Sequence, residues 1–201
     1  MRSRRGGTVL IAFMLSILWA PPASAHLLTT GFGPFYDGLA HLFVTPEDLL
    51  PVVAIALLAG LRGPRYGRIV LFVLPAAWLG GSLAGRLLTP GAALPAATAV
   101  LTIALGALSA ADAPLTFWPV AGLAAVLGLW NGGVNGIEWS KAHASALPSL
   151  GVACALFAVV ALLAGNVVSV RAAWARIAVR VAGSWIAASG LFMLGWSLRA
   201  R

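Results

Sequence analysis

Long apolar segments occupy most of this chain, and they constrain its fold more than any other feature. Six of them follow a short N-terminal one, and we place them at residues 43–61, 67–88, 93–111, 114–134, 147–169 and 177–197. About 20 apolar residues in a helix cross the hydrocarbon core of a bilayer. Only 9% of the residues are charged, whereas a soluble domain carries about 25%. The sequence therefore predicts an all-α integral membrane protein, a six-helix transmembrane bundle embedded in a lipid bilayer.

The first 25 residues have the pattern of a cleavable signal peptide. Three arginines (Arg2, Arg4 and Arg5) precede an apolar stretch at residues 9–20, and Ala23-Ser24-Ala25 matches a cleavage site. The apolar stretch is shorter than a membrane span, and two prolines end it. We therefore expect a signal peptide at 1–25 and a six-span membrane domain at 26–201.

The basic residues predict how the chain crosses the membrane. The formal net charge is +8, but the arginines lie between apolar segments and form no continuous basic surface, which argues against nucleic acid as a partner. Two clusters, at residues 62–68 and 171–180, fall on one side of a six-span bundle. The positive-inside rule makes that side cytoplasmic. We expect a multi-pass protein of the bacterial inner membrane with its mature N-terminus outside.

The polar residues before the first long segment form one candidate site. Asp37 and His41 are four residues apart, so they share a face if this stretch is helical. Glu47 and Asp48 follow, and an acid at membrane depth is a functional candidate. The alternatives are an interfacial Asp37–His41 pair and a Thr45–Asp48 capping box at the start of a helix. The interpretation as a cation-collecting site at the outer surface adds His26, whose α-amine and imidazole could chelate a metal after cleavage.

A second candidate lies at the outer end of the fourth segment. Asn131, Asn135 and Glu138 are spaced i, i+4 and i+7, which places them on one stripe of a helix. Such a stripe in a membrane either joins helices by hydrogen bonds or lines a polar path. His143 follows in the next loop and is typical of a solvated histidine.

Glycines at four-residue spacing predict close packing of membrane helices. The pairs are Gly81 with Gly85, Gly128 with Gly132, and Gly132 with Gly136. Such spacing lets two helix backbones approach each other.

Two stretches resemble the HupE/UreJ family of hydrogenase and urease accessory membrane proteins. Residues 31–63, GFGPFYDGLAHLFVTPEDLLPVVAIALLAGLRG, are similar to one branch of that family. Residues 131–138, NGGVNGIE, are similar to its H-G-x-A-H-G-x-E signature, with asparagine at both histidine positions. The resemblance implies a metal permease that carries nickel or cobalt and works with metalloenzyme maturation proteins. It matches Glu138 to the signature acid and, more loosely, His41 to the first histidine of the family's H-P-x-x-G-x-D-H pattern.

The leading hypothesis is a divalent metal-ion permease with no tightly bound cofactor. Asp37, His41, Glu47 and Glu138 would strip water from the ion in staged ligand exchange. The alternative is a non-transporting membrane subunit that holds a metal or a partner protein during assembly. No strained nucleophile motif surrounds the serines and histidine of residues 140–145, which argues against an enzyme.

Overall fold

The computed structural model describes residues 29–88 and 95–199, and these residues form seven helices. The predicted signal peptide and His26 lie outside the described residues. The helices are α1 (Pro34–Val44), α2 (Pro46–Arg62), α3 (Pro64–Leu87), α4 (Pro95–Ala110), α5 (Phe117–Lys141), α6 (Leu147–Ser169) and α7 (Ala173–Arg199). The predicted all-α class is confirmed.

Proline and glycine set several helix boundaries. Helices α1, α2 and α3 each have proline in the first turn, where its missing N–H leaves no helical hydrogen bond unmade. Gly63 joins α2 to α3 with φ of 116°, a conformation that L side chains rarely adopt. Asp112 lies in the turn between α4 and α5 with φ of 49°, and aspartate tolerates this region better than most residues.

Four helices of the described chain are long and apolar enough to cross a membrane: α3, α5, α6 and α7. They confirm four of the six predicted spans. The predicted first span, residues 43–61, corresponds to α2, which begins at Pro46 because the chain breaks at Thr45, where α1 and α2 meet at a 73° bend. This bent pair would make a fifth span. Helix α4 is apolar but has 16 residues, so a sixth span stays a prediction.

Successive helices run between two ends of the bundle, with α2 at its centre. Val52, Ile55 and Leu58 of α2 are fully buried, as expected for a helix that is apolar on all sides. We call the end that holds the start of α2 and the last turns of α5 the His41 end. The other, with the end of α2, the α4–α5 turn and the start of α7, is the Asp112 end.

The glycine spacing produces the predicted contact between α3 and α5. A Cβ added to Gly132 would lie under 3.0 Å from the Trp78 backbone, and one added to Gly136 would meet the Ser82 backbone in the same way. The two helices therefore pack backbone against backbone, and this contact holds the polar stripe of α5 in place.

Replacing Gly132 by alanine tests this contact. The new methyl group would press on the Trp78 carbonyl, and overpacking of this kind costs about 1–3 kcal/mol. Gly132→Ala should therefore lower the melting temperature of the purified protein in detergent. Gly122→Ala is the matched control on α5, because nothing lies within 4 Å of its added Cβ. Equal melting temperatures for the two variants would contradict the packing.

Candidate functional site

The bend between α1 and α2 brings His41 and Asp48 together. Seven residues of a straight helix would separate them by about 10 Å along its axis. The break at Thr45 folds α1 back, and His41 Nε2 lies 3.4 Å from Asp48 Oδ2. Both residues are buried, with 6% and 5% of their surfaces exposed. A feature that the apolar pattern did not predict, the helix break, therefore creates the site.

The polar stripe of α5 meets this pair. Asn131 Nδ2 donates to Asp48 Oδ1 at 3.1 Å, and Asn135 Nδ2 donates to Asp48 Oδ2 at 2.9 Å. Both asparagines are at least 97% buried. Each carboxylate oxygen of Asp48 therefore receives one amide N–H, which fixes the orientation of the carboxylate inside an apolar bundle.

Proline also prepares the backbone of α2 for this contact. Pro51 lies inside the helix and has no N–H, so the carbonyl of Glu47, four residues earlier, loses its usual helical donor. Asn131 Nδ2 approaches that carbonyl oxygen at 3.4 Å. The amide of Asn131 thus joins both the backbone of Glu47 and the side chain of Asp48.

Two buried polar atoms at the site make no hydrogen bond. They are His41 Nε2 and Asn131 Oδ1. His41 Nε2 lies 3.4 Å from Asp48 Oδ2, so a protonated imidazole pairs with that carboxylate and a neutral one can present a lone pair to a cation. Asn131 turns its Nδ2, and not its Oδ1, toward Asp48. Burying a polar atom without a partner is costly, so the imidazole beside the carboxylate marks this cluster as a candidate ligand site.

The predicted capping box is wrong. Thr45 makes no side-chain capping bond, and its Oγ1 is buried without a hydrogen-bond partner. Asp48 does not serve the helix start because its two oxygens accept from α5. Glu47 is exposed, and the contact that brings it to the site comes from its backbone carbonyl. Of the two neighbouring acids, Asp48 is therefore the one that faces inward.

Asp37 of α1 is held by hydrogen bonds from Thr30. Its Oδ1 accepts from the backbone N–H of Thr30 at 2.6 Å and from the Thr30 hydroxyl at 2.7 Å. Asp37 and His41 line one cavity of about 260 Å³, which Trp139 and Pro148 also border. Asp37, which is only half-buried, and His41, which is buried, therefore share one vestibule.

Glu138 completes the set near the imidazole. The charge of its half-buried carboxylate is close enough to act on His41. The ring of Trp139 meets the His41 ring edge to face, with centroids 5.7 Å apart. His143 is exposed at the tip of the next loop, with φ of 54°. Glu138 adds a second negative charge on the α5 side, while His143 faces solvent.

The donor set is mixed and rich in oxygen. Within residues 29–88 and 95–199, no three histidine, cysteine or acidic side chains group closely enough to hold a metal by themselves. One imidazole and one carboxylate do meet, and the backbone carbonyl of Glu47 lies on the same Asn131 amide as the carboxylate. Such ligands hold a divalent ion less tightly than a closed cage of histidines or cysteines, and the arrangement therefore suits transient binding.

Sequence reasoning singled out His41, Asp48, Asn131 and Asn135, which meet here, but missed what positions them. Thr30, Trp139 and Pro51 had no role in the predicted site. A proline five residues into a predicted helix does signal a freed carbonyl upstream. The contacts of Thr30 and Trp139 depend on how α1 folds back, which no local pattern indicates.

One family model matches most of the chain. It is described as "HupE / UreJ protein", and it matches residues 13–193. The match includes the bent α1–α2 pair and the polar stripe of α5. No curated protein and no solved structure matches the chain.

Replacing Asn135 by alanine tests how Asp48 is held. The change leaves Oδ2 of a buried carboxylate without its 2.9 Å donor, and an unsatisfied buried group costs about 1–3 kcal/mol. Thermal unfolding of the purified protein should show a clear loss of stability. Asn166→Ala is the control, since that exposed amide bonds only to Leu162 of its own helix. A loss no larger than the control's would refute the proposed support of Asp48.

Proposed function

This chain belongs to the HupE/UreJ family, and from that premise we propose that it is a divalent metal-ion permease of the bacterial inner membrane. Members of the family are membrane transporters or accessory proteins, not enzymes. The observation that carries the proposal is the buried pair of His41 and Asp48, in which the imidazole lies 3.4 Å from a carboxylate that Asn131 and Asn135 hold in place. Nickel and cobalt are the cargoes that the family suggests.

The vestibule supports entry from the His41 end, which we take as the outer side. Asp37 is only half-buried there and carries a negative charge that attracts cations. Thr30 donates two hydrogen bonds to one of its oxygens, so the other oxygen is available to an ion. His26 would add ligands at this surface if the signal peptide is cleaved after Ala25.

The buried cluster would take the ion next. His41 Nε2 and an oxygen of Asp48 are 3.4 Å apart, so one ion can contact both after a small adjustment of the side chains. Asn131 and Asn135 keep the carboxylate oriented. The negative charge of Glu138 favours a cation beside His41. The ion is thus transferred by ligand exchange from water to Asp37 and then to the cluster.

The chemistry of the cluster bears on which ion is carried. Imidazole suits nickel, cobalt and zinc, while carboxylate and amide oxygens suit harder ions such as manganese. Asparagine at positions 131 and 135 replaces two histidines of the family signature, so the cluster keeps a single imidazole. We therefore expect weaker nickel or cobalt binding than a site with three histidines would give, which favours release.

A second candidate is an accessory subunit that binds a metal or a maturation protein without transport. The buried position of the cluster argues against it, since a partner protein would contact exposed ligands. The same cluster could still bind a metal ion that is not transported. The two functions differ in whether the ion reaches the other side of the membrane.

Metal accumulation in cells separates these functions. We expect His41→Ala and Asp48→Asn to lower uptake of the transported ion at least about 10-fold, since the loss of a ligand or its orienting partner costs that much. Glu47→Gln keeps the backbone carbonyl and should lower uptake less than Asp48→Asn. Nickel, cobalt, zinc and manganese would be compared at equal membrane abundance.

His143→Ala is the control for His41→Ala, because it removes an exposed imidazole at the same end. Uptake that survives in Asp48→Asn would contradict the role of the cluster. A folded wild-type protein that accumulates none of the four metals would refute the permease and favour the accessory subunit.

A further inference from the structure

An ion-pair cluster ties three parts of the chain together at the Asp112 end. Asp112 accepts from Arg62 at the end of α2 and, at 3.0 Å, from Arg176 near the start of α7. Arg62 also donates to the backbone carbonyl of Asp112 at 3.2 Å. Arg180, one turn further along α7, donates to the carbonyl of Ala110 at 2.9 Å. The turn between α4 and α5 is thus held by both α2 and α7.

Asp112 stays charged at neutral pH. Partial burial alone would raise the pKa of its carboxyl, but Arg176 and Arg62 outweigh burial and hold that pKa below its usual value. The two guanidinium groups would repel each other without the carboxylate between them. Removal of this one negative charge therefore weakens the attachment of both helices.

Helices α4 and α7 form a pair that has little other support. They pack closely on each other, since an added Cβ on Gly106 would meet the backbone of Ala187 and one on Gly183 would meet Ala110. Toward α5, by contrast, α4 leaves an apolar cleft of about 540 Å³ lined by Val100, Leu101 and Trp130, among others. The pair is therefore attached to the bundle mainly through α2 and the Asp112 end.

The face of α4 that the pair turns toward the bundle carries hydroxyl groups. Thr98, Thr102 and Ser109 are buried and follow one stripe at i, i+4 and i+11. Ser109 Oγ donates to the Ala54 carbonyl of α2 at 2.7 Å, and Thr98 Oγ1 accepts from the Trp130 indole at 3.0 Å. The stripe, in a helix that is otherwise apolar, runs from the level of Trp130, which precedes Asn131 in the chain, to the Asp112 end.

We propose that Asp112, Arg62 and Arg176 form a latch that holds the α4–α7 pair against α2, and that release of this latch uncovers the hydroxyl stripe at the Asp112 end. In the closed state that the structure shows, Ser109 is fully buried. The latch lies 14 residues, about 21 Å, along α2 from Asp48. A role of the latch in cation release rests on the permease function proposed above. The existence of the latch does not depend on that function.

Thiol labelling of the full chain in lipid nanodiscs tests the latch, because the reagent then reaches both ends. Cys154, which is exposed, would be replaced by alanine, and Ser109→Cys would report opening through its reaction with a charged thiol reagent. We expect Asp112→Asn to raise the labelling rate about 10-fold, which corresponds to about 1.4 kcal/mol. Asparagine tolerates the positive φ of this position, so the backbone should keep its conformation.

Three controls make the result specific. Ala172→Cys, on an exposed loop at the Asp112 end, should label at the same rate with or without Asp112→Asn. Ser82→Cys, buried at the His41 end, should stay protected in both backgrounds. Arg171→Gln removes an exposed arginine near the latch and should leave Ser109→Cys labelling within 2-fold of the parent.

An unchanged labelling rate of Ser109→Cys in the Asp112→Asn background would overturn the latch. An equal increase in the labelling rate of Ser82→Cys would also overturn it, because that result would indicate that the whole bundle had loosened. If Asp112→Asn does not accumulate as folded protein, Arg176→Gln replaces it in the test. This variant should raise the labelling rate of Ser109→Cys by a smaller factor, and the absence of an increase would overturn the latch. Metal uptake by the same variants is scored separately. Accelerated labelling in a protein that carries no metal would keep the latch and refute the permease.

Discussion

The structure depends on a carboxylate buried in an apolar bundle. Asp48 is 5% exposed and lies among helices that are mostly apolar. A buried charge is stable only with hydrogen bonds and an opposite charge nearby. Two asparagines of α5 supply the hydrogen bonds, and His41 lies 3.4 Å away. A proton on the imidazole or a bound cation would supply the positive charge, so the same requirement that shapes the fold also defines the site.

Two structural features bring these partners to the Asp48 carboxylate. Glycines such as Gly132 let the backbones of α3 and α5 touch, which fixes the height of the polar stripe along the bundle. The break at Thr45 then folds α1 over the start of α2 and delivers His41. Glycine packing is rigid, whereas the α4–α7 pair rests beside an open cleft. The bundle thus holds the site by close backbone contact between α3 and α5 and leaves a cleft beside the α4–α7 pair.

The apolar pattern was sufficient to predict the helical class, α3, α5, α6 and α7, and the glycine contacts. A long apolar segment directly indicates a helix that can lie in lipid, so the long helices were predicted correctly. Composition and periodicity gave no sign of the 73° bend at Thr45. They left open a capping role for Asp48, and the structure shows its side chain bonded to Asn131 and Asn135 instead. Contacts between residues more than 80 positions apart follow from tertiary packing, and a single sequence holds no local signal for them.

X-ray absorption of the purified, nickel-loaded protein tests the central claim most directly. The account predicts a first shell of oxygen and nitrogen without sulfur, and an imidazole contribution that disappears in His41→Ala. His143→Ala, which removes an exposed ring, should leave that contribution unchanged. A protein that retains no nickel, or a spectrum identical in His41→Ala and wild type, would contradict the assignment of the buried cluster as the cation site.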